Sequence, residues 1–204
     1  MFGDPINNTK NWDFKRMGDF GVVKTGNTPS RNNPENYGDY IEWIKSDNIN
    51  TPFTYLTKSE EYLSEIGYKQ GRVVPEGSVL VTCIAGSIPC LGNVAITDRE
   101  VAFNQQINSI TPNDDCNELF LYHLILYSKP YLQSFSRSAL KGMINKRTFE
   151  NIPMIHPPIE LQNQFAEIVK QVEEIKKYQL ESKKELENLF NNLMQKAFKG
   201  ELIC

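Results

Sequence analysis

Beyond Pro158 the chain runs for forty residues to Phe198 without a glycine or proline, and its apolar residues recur at alternating intervals of four and three. Leu161, Phe165, Ile168, Val172, Ile175, Gln179, Ser182, Leu186, Leu189 and Leu193 form one stripe on one side of a continuous helix over 158–198. Charged residues fill the other faces, as in KQVEEIKK and ESKKELE, with opposite charges three or four apart. At about 1.5 Å per residue the helix is roughly 60 Å long, too long to be covered along its length by a small domain. Such a stripe needs a second helix. No other segment of this chain has comparable length and pattern, so the partner helix comes from a second copy or from another protein.

The stripe carries its own clue to register. Its two polar members, Gln179 and Ser182, are neighbouring core positions near the middle. Two copies crossing antiparallel between them would set Gln179 against Ser182, Ile175 against Leu186, Val172 against Leu189 and Ile168 against Leu193. Polar then meets polar and apolar meets apolar, a match that fixes register at some cost in stability. A homodimer through the long helix is the expectation.

Of 204 residues, 157 precede the helix, enough for one globular domain with its own core, and residues 199–204 form a short C-terminal tail. No run is apolar and long enough to cross a bilayer, and the polar, Asn-rich start is unlike a signal peptide, so a cytoplasmic location without membrane contact is expected. Cys83, Cys90, Cys116 and Cys204 have the spacing of neither a zinc ribbon nor a redox pair and read as ordinary thiols. The net charge is −3, and residues 1–157 hold 15 basic and 17 acidic side chains. Any nucleic-acid surface must therefore be a local patch on a nearly neutral body.

Along the domain, residues 1–11 read as a lead-in and 12–23 as a short strand or anchor. KTGNTPSRNNPENYG, residues 24–38, is a long loop in which Lys24, Thr28, Ser30 and Arg31 offer donors to phosphates or base edges. YIEWI, residues 40–44, alternates as a strand with Trp43 inward, followed by outward-facing Lys45, Ser46, Asp47 and Asn48. Asp47 equally suits the cap of a helical turn. TKSEEYLSEIG, residues 57–67, reads as a short helix capped by Thr57 or Ser59 and stopped by Gly67.

Residues 73–97 read as β-hairpin material with a turn at Glu76-Gly77 and a loop around Ser87 bracketed by Gly86 and Gly92. FNQQINSI, residues 103–110, is expected as a strand whose carboxamides either pair with adenine or satisfy backbone edges. Residues 116–135 form a buried helix bent or divided at Pro130, with His123 packed inside it. RSALKGMINKR then places Arg137, Lys141, Lys146 and Arg147 together without a carboxylate. It is either the footprint of a phosphate backbone or a basic solvated face.

Catalytic patterns are missing from this inventory. There is no histidine–carboxylate pair at metal spacing, no nucleophile elbow, no methyltransferase tetrad, no Gly-rich cofactor fingerprint after a strand and no nuclease carboxylate–lysine pattern. The sequence reads as a recognition domain joined to a rod, not as an enzyme.

In this order, MFGDPINNTKNWDFKRMGDF, GNTPSRNNPENYG with IEWIKSDNI, GSVLVTCIAGSIPCLGNVAI with FNQQINSI, IPMIHPPIELQNQFAEIV and LMQKAFKGELI resemble one half of the DNA-specificity subunit of type I restriction-modification systems. The resemblance covers nearly the whole chain. It implies a mixed α/β target recognition domain, a small twisted sheet with helices, followed by one long helix that serves as spacer and docking rail. In that family two such units in one polypeptide place recognition domains at opposite ends of an antiparallel helix pair, and each reads half of a split target in double-stranded DNA. Modification subunits bind alongside and methylate adenine with S-adenosylmethionine, and restriction subunits can join them; no cofactor is implied for this chain itself.

By the same resemblance Arg137, Lys141, Lys146 and Arg147 would neutralise phosphates, and the loops around Arg31, Asn48 and Ser87, with Lys24, Thr28, Ser30 and Lys45, would supply groove contacts. Having one recognition domain and one helix, the chain reads as a half-length subunit that dimerises, half of a split subunit, or a fragment. A coiled-coil adapter without DNA binding and an inactive half-length specificity fragment are the alternatives.

Overall fold

The computed structural model describes residues 1–136 and 142–201. By its contacts the chain divides into two compact units, residues 1–163 and 164–204. In chain order the strands are β1 (Phe14–Arg16), β2 (Gly21–Thr25), β3 (Tyr37–Ile44), β4 (Tyr62–Leu63), β5 (Val73–Val74), β6 (Val79–Thr82), β7 (Ile84–Ala85), β8 (Val94–Ile96), β9 (Val101–Phe103), β10 (Ile107–Pro112), β11 (Gly142–Met143) and β12 (Pro153–Ile155). The helices are α1 (Glu65–Gln70), α2 (Glu118–Tyr127), α3 (Lys129–Ser134), α4 (Lys146–Glu150) and α5 (Ile159–Phe198).

Two four-stranded sheets build the first unit. One is antiparallel throughout, in the order β2-β10-β6-β8; the other, β4-β3-β9-β5, is mixed because β3 and β9 run parallel. Every residue of β6 is buried, the pattern of a strand covered on both faces. Leu80 of β6, Ala95 of β8, Phe103 of β9 and Ile107 of β10 meet Ile44, Ile49, Leu56, Val74 and Val101 in one core shared by both sheets. Trp43 is buried beside Ile41, Leu63 and Ala102, as its place in the alternating strand predicts. The arrangement is the mixed α/β domain followed by one long helix that the sequence leads one to expect.

Local chemistry sets the breaks. Asn117 caps α2 by accepting from the N–H groups of Leu119 and Phe120, and the apolar helix is buried on most of its surface. It ends at Ser128, and Pro130 sits in the first turn of α3, where its missing N–H costs nothing, so the proline divides the helix. Cys83 and Cys116 are buried, and burial pushes both thiols up to about 12. Among the described residues no helix is long and apolar enough to cross a membrane.

Three local expectations are corrected. Residues 57–63 are extended, with α1 beginning only after its cap Ser64, because the backbone here bonds to β3: Trp43 N–H donates to the Glu61 carbonyl and the Ser59 hydroxyl to the Trp43 carbonyl. Gly67 therefore lies inside α1 and is no stop signal; a Cβ there would run into the Asn36 carbonyl. FNQQINSI is not one strand. Asn104 Oδ1 accepts from Gln106 N–H, turning the chain between β9 and β10 and sending them into different sheets. The Glu76-Gly77 turn, with Gly77 at φ +79°, likewise passes the chain from one sheet to the other and closes no hairpin.

Candidate nucleic-acid interface

The loop after β2 is tied down at several points. A Cβ on Gly26 would overlap the Asn104 carbonyl, so only glycine lets the loop pass this close to the β9–β10 turn. Asn27 then bridges to α1's end, accepting from Arg72 N–H at 2.7 Å and donating to the Gln70 carbonyl at 2.8 Å. Tyr37 Oη donates to the Pro29 carbonyl at 2.7 Å, Asn36 Nδ2 to the Ser30 carbonyl at 2.9 Å, and Trp43 Nε1 to the Asn27 carbonyl at 3.2 Å. Thr28 and residues 30–35, Ser30 and Arg31 among them, remain exposed on this loop.

Arg31 is held in place by three neighbours. Its guanidinium lies 4.9 Å from the Tyr37 ring centre and 5.2 Å from that of Trp43, and Nη2 donates to Glu61 Oε2 at 2.7 Å. Lys45, 5.5 Å from the Trp43 ring, donates to the other oxygen of the same carboxylate. Lys45 holds the Glu61 carboxyl below its usual range against the opposing effect of burial, and Arg31 adds to it. One carboxylate thus sets two cations side by side, a spacing suited to anionic oxygens.

The turn Ser46–Asn48 follows. Asn48, and not Asp47, caps it: Asn48 Oδ1 accepts from Lys45 N–H at 3.0 Å, while its Nδ2 donates to the Lys58 carbonyl at 3.1 Å. Asp47 is exposed, at the rim of two hollows. One, of about 260 Å³, is lined by Lys45, Asn48, Lys58 and Glu61 among others. The second, of about 240 Å³, is lined by Ser46, Asn50, Thr82, Ser87, Asn93 and Gln106 along with Ala85, Gly86 and Cys90.

Polar chains from other segments shape this second hollow. Lys129 donates to Asn93 Oδ1, and Asn93 Nδ2 donates to Asn50 Oδ1 at 2.7 Å. On the opposite side Asn104 Nδ2 donates to Gln106 Oε1 at 3.0 Å. Thr82 Oγ1 is buried without a hydrogen-bond partner. Sequence reasoning missed Asn50, Thr82, Asn93 and Lys129, and touched Gln106 only through the carboxamides of FNQQINSI; nothing local marks them, for four distant segments meet here.

The remaining expected residues are dispersed. Lys24 lies on β2 and donates to the Val73 carbonyl at 2.9 Å, and Thr28 donates to Gln105 Oε1. Ser87 is exposed, donating to Cys90 Sγ at 3.4 Å. Lys146 and Arg147 are exposed on α4, where Lys146 pairs with Glu150 at 3.4 Å. Among the described residues no ion pair links them to the Arg31–Lys45 pair. Arg137 and Lys141 lie outside the described residues. Of the helical stripe, Leu161 and Phe165 are half-buried, Gln179 and Ser182 are exposed, and Ile168, Val172, Ile175, Leu186, Leu189 and Leu193 are 44–63% exposed.

The profile of the family described as type I restriction modification DNA specificity domain matches residues 9–188. The HindI specificity subunit of a type I restriction enzyme from Haemophilus influenzae is 31% identical over 159 residues, covering 74% of this chain and 33% of that protein. The MjaIX specificity subunit from Methanocaldococcus jannaschii is 27% identical over 199 residues, covering 95% of this chain and 44% of that protein. The chain thus spans between a third and a half of the curated relatives it matches. In fold it is similar to the HsdS subunit from Thermoanaerobacter tengcongensis, with TM-score 0.62 and 20% identity over 95% of this chain and 46% of that one. A chain from a study of assembly and conformational transition in a type I R-M system gives TM-score 0.66 and 21% identity, over 94% of this chain and 46% of that one.

Proposed function

Because this chain belongs to the type I restriction modification DNA specificity family, we propose that it is a sequence-recognition subunit without catalysis of its own, reading half of a bipartite target in double-stranded DNA. The observation that carries the reading is the family match over residues 9–188, which runs through both the two-sheet domain and most of α5. Domain 1–157 serves as the target recognition domain. Helix 158–198 docks adenine methyltransferase subunits, which bring S-adenosylmethionine, and restriction subunits where they are present. The work is done in the cytoplasm, where the DNA is.

Two copies supply the two half-site readers. A forty-residue helix with six large apolar residues of one stripe 44–63% exposed supports a second helix along it. The antiparallel crossing between Gln179 and Ser182 gives a symmetric pair and hence an inverted-repeat target with a fixed gap. Lys146 and Arg147 act on phosphates, and Arg31 and Lys45 on phosphates or base edges, with Lys24, Thr28, Ser30, Asn48 and Ser87 in the surrounding surface.

Light scattering of the full chain tests the pairing, with a mass twice 23.4 kDa expected. A monomer at every concentration overturns the symmetric arrangement. Titration with duplex DNA in the presence of modification subunits tests the reading itself. Replacing Lys146 and Arg147 with Ala should weaken all duplexes about equally and flatten the salt dependence by about one unit of slope for each phosphate no longer neutralised. A complex that binds no duplex overturns the recognition role and leaves a protein-binding adapter.

A further inference from the structure

The polarity of the second hollow can be deduced from its hydrogen bonds alone. An ammonium only donates, so Lys129 obliges Asn93 to turn Oδ1 toward it, which points Asn93 Nδ2 at Asn50 and makes Asn50 accept through Oδ1. Asn50 is left with Nδ2 as its uncommitted end. The second chain starts from another obligate donor. The backbone N–H of Gln106 fixes Asn104 Oδ1, Asn104 Nδ2 then donates to Gln106 Oε1, and Gln106 keeps Nε2 uncommitted. Of the three amides that line the hollow, Asn93 is committed at both ends, and Asn50 and Gln106 offer it donors.

A third group points to a ligand. Thr82 lines the hollow, is 1% exposed, and its hydroxyl has no partner. Buried hydroxyls are nearly always satisfied, so an unpartnered one on a concave wall is a group awaiting a visitor. Asp47 at the rim supplies an acceptor.

We propose that this hollow is a base-reading pocket for a G·C pair, with the amide donors of Asn50 and Gln106 directed to guanine O6 and N7 and the Asp47 carboxylate to the cytosine amino group. The match follows from the major-groove code. Guanine alone presents two adjacent acceptors; adenine presents one acceptor with a donor, and thymine one acceptor with a methyl group. Lys129 is a positioning residue, touching no base but setting which end of Asn50 faces the DNA. Its stem lies over Gly92, where φ is +81° and a Cβ would come within 3.2 Å of Lys129 Cγ. The inference rests on the DNA-reading role proposed above.

The test is selection from a randomised duplex pool by the full chain with modification subunits, for the wild type, Asn50→Asp and Lys129→Met. Asn50→Asp keeps the acceptor that Asn93 needs and changes the uncommitted end from donor to acceptor; the negative charge it adds weakens every duplex alike and so leaves the motif's other positions as they were. The wild-type motif should contain a G·C position; Asn50→Asp should shift that position by about tenfold toward a base offering an amino group. Lys129→Met should make the same position degenerate, with the other positions unchanged in both variants. Should Asn50→Asp fail to fold, Lys129→Met carries the test. Identical motifs from all three proteins, or a change at a position that is not G·C in the wild type, would overturn the pocket while leaving the recognition role intact. No enriched motif for the wild type would overturn the recognition role and the pocket with it.

Discussion

Arg99 clasps Glu42 through two parallel hydrogen bonds, Nε to Oε1 at 2.9 Å and Nη2 to Oε2 at 2.6 Å. The pair joins the loop before β9 to β3. Glu42 also accepts from Ser59 N–H at 2.8 Å, and Arg99 donates to the Thr57 carbonyl at 3.3 Å, so the extended segment that presents Glu61 hangs on this clasp. Burial works against the Glu42 carboxylate, but Arg99 and the Ser59 N–H hold it below its usual range. The Glu42 side chain is 14% exposed. Arg99→Met should destabilise the fold by about 1–3 kcal/mol in urea unfolding, and Arg99→Lys should recover only part of it because the fork is lost.

Gln162, fully buried at the start of α5, satisfies three backbone groups. Its Oε1 accepts from Asn117 N–H at 3.0 Å, and its Nε2 donates to the carbonyls of Pro157 at 2.8 Å and Asp115 at 3.2 Å. The amide locks the first turn of the long helix to the cap of α2. Gln162→Leu has similar volume but leaves the Asn117 N–H and the Pro157 carbonyl unmet, while the Asp115 carbonyl keeps its His156 donor, and a loss of about 2–4 kcal/mol is expected from urea midpoints. Gln162→Glu should lose nearly as much, since a carboxylate cannot donate.

Gly67 sets helix propensity against sterics. An exposed helical Gly→Ala change gains about 1 kcal/mol. Here the new methyl would collide with the Asn36 carbonyl, which already accepts from Ser64 N–H. The clash should win, with Gly67→Ala lowering stability by about 1–3 kcal/mol in thermal or urea melts.

His156 gives a pH dependence of known sign. Burial, reinforced by the nearby Lys15 charge, pushes its imidazole below the usual range, and Nε2 donates to the Asp115 carbonyl at 3.1 Å beside the edge of Phe20. A depressed folded value means the unfolded chain takes up the proton first. The contribution is complete above about pH 6.5 and is lost as pH falls through the folded value. Urea midpoints should therefore decline as pH falls below neutrality, and His156→Phe should flatten that decline.

What can be read from the sequence is what local pattern encodes. The long helix expected over 158–198 is found at Ile159–Phe198, because a 4,3 stripe without glycine or proline has one regular solution. Trp43 in an alternating strand and Pro130 at a helix break belong to the same class. Expectation and structure part where long-range bonds overrule local preference. TKSEEYLS has helical composition, yet the unpaired edge of β3 claims its backbone. FNQQINSI reads as one strand, yet Asn104 folds back on Gln106.

The candidate site is legible only in part. Arg31, Lys45, Asn48 and Ser87 stand out as polar residues in loops, and the first two do come together, but through Glu61, a residue no local pattern marks. Basic clustering along the sequence points to 137–147, of which Arg137 and Lys141 lie outside the described residues. The amide chains join residues up to 43 positions apart, a distance at which periodicity and spacing carry no information.

Polarity in the Lys129–Asn93–Asn50 chain is inherited from its first member. A carboxylate at position 129 would oblige Asn93 to turn its Nδ2 inward, Asn50 would answer with its own Nδ2, and the carbonyl of Asn50 would face the hollow. One exchange on α3 would thus work as an inverter, rewriting the chemical sign of a wall without replacing any residue in it. A surface wired this way can acquire new preferences from behind, while its shape, its loops and the residues that line it stay as they were.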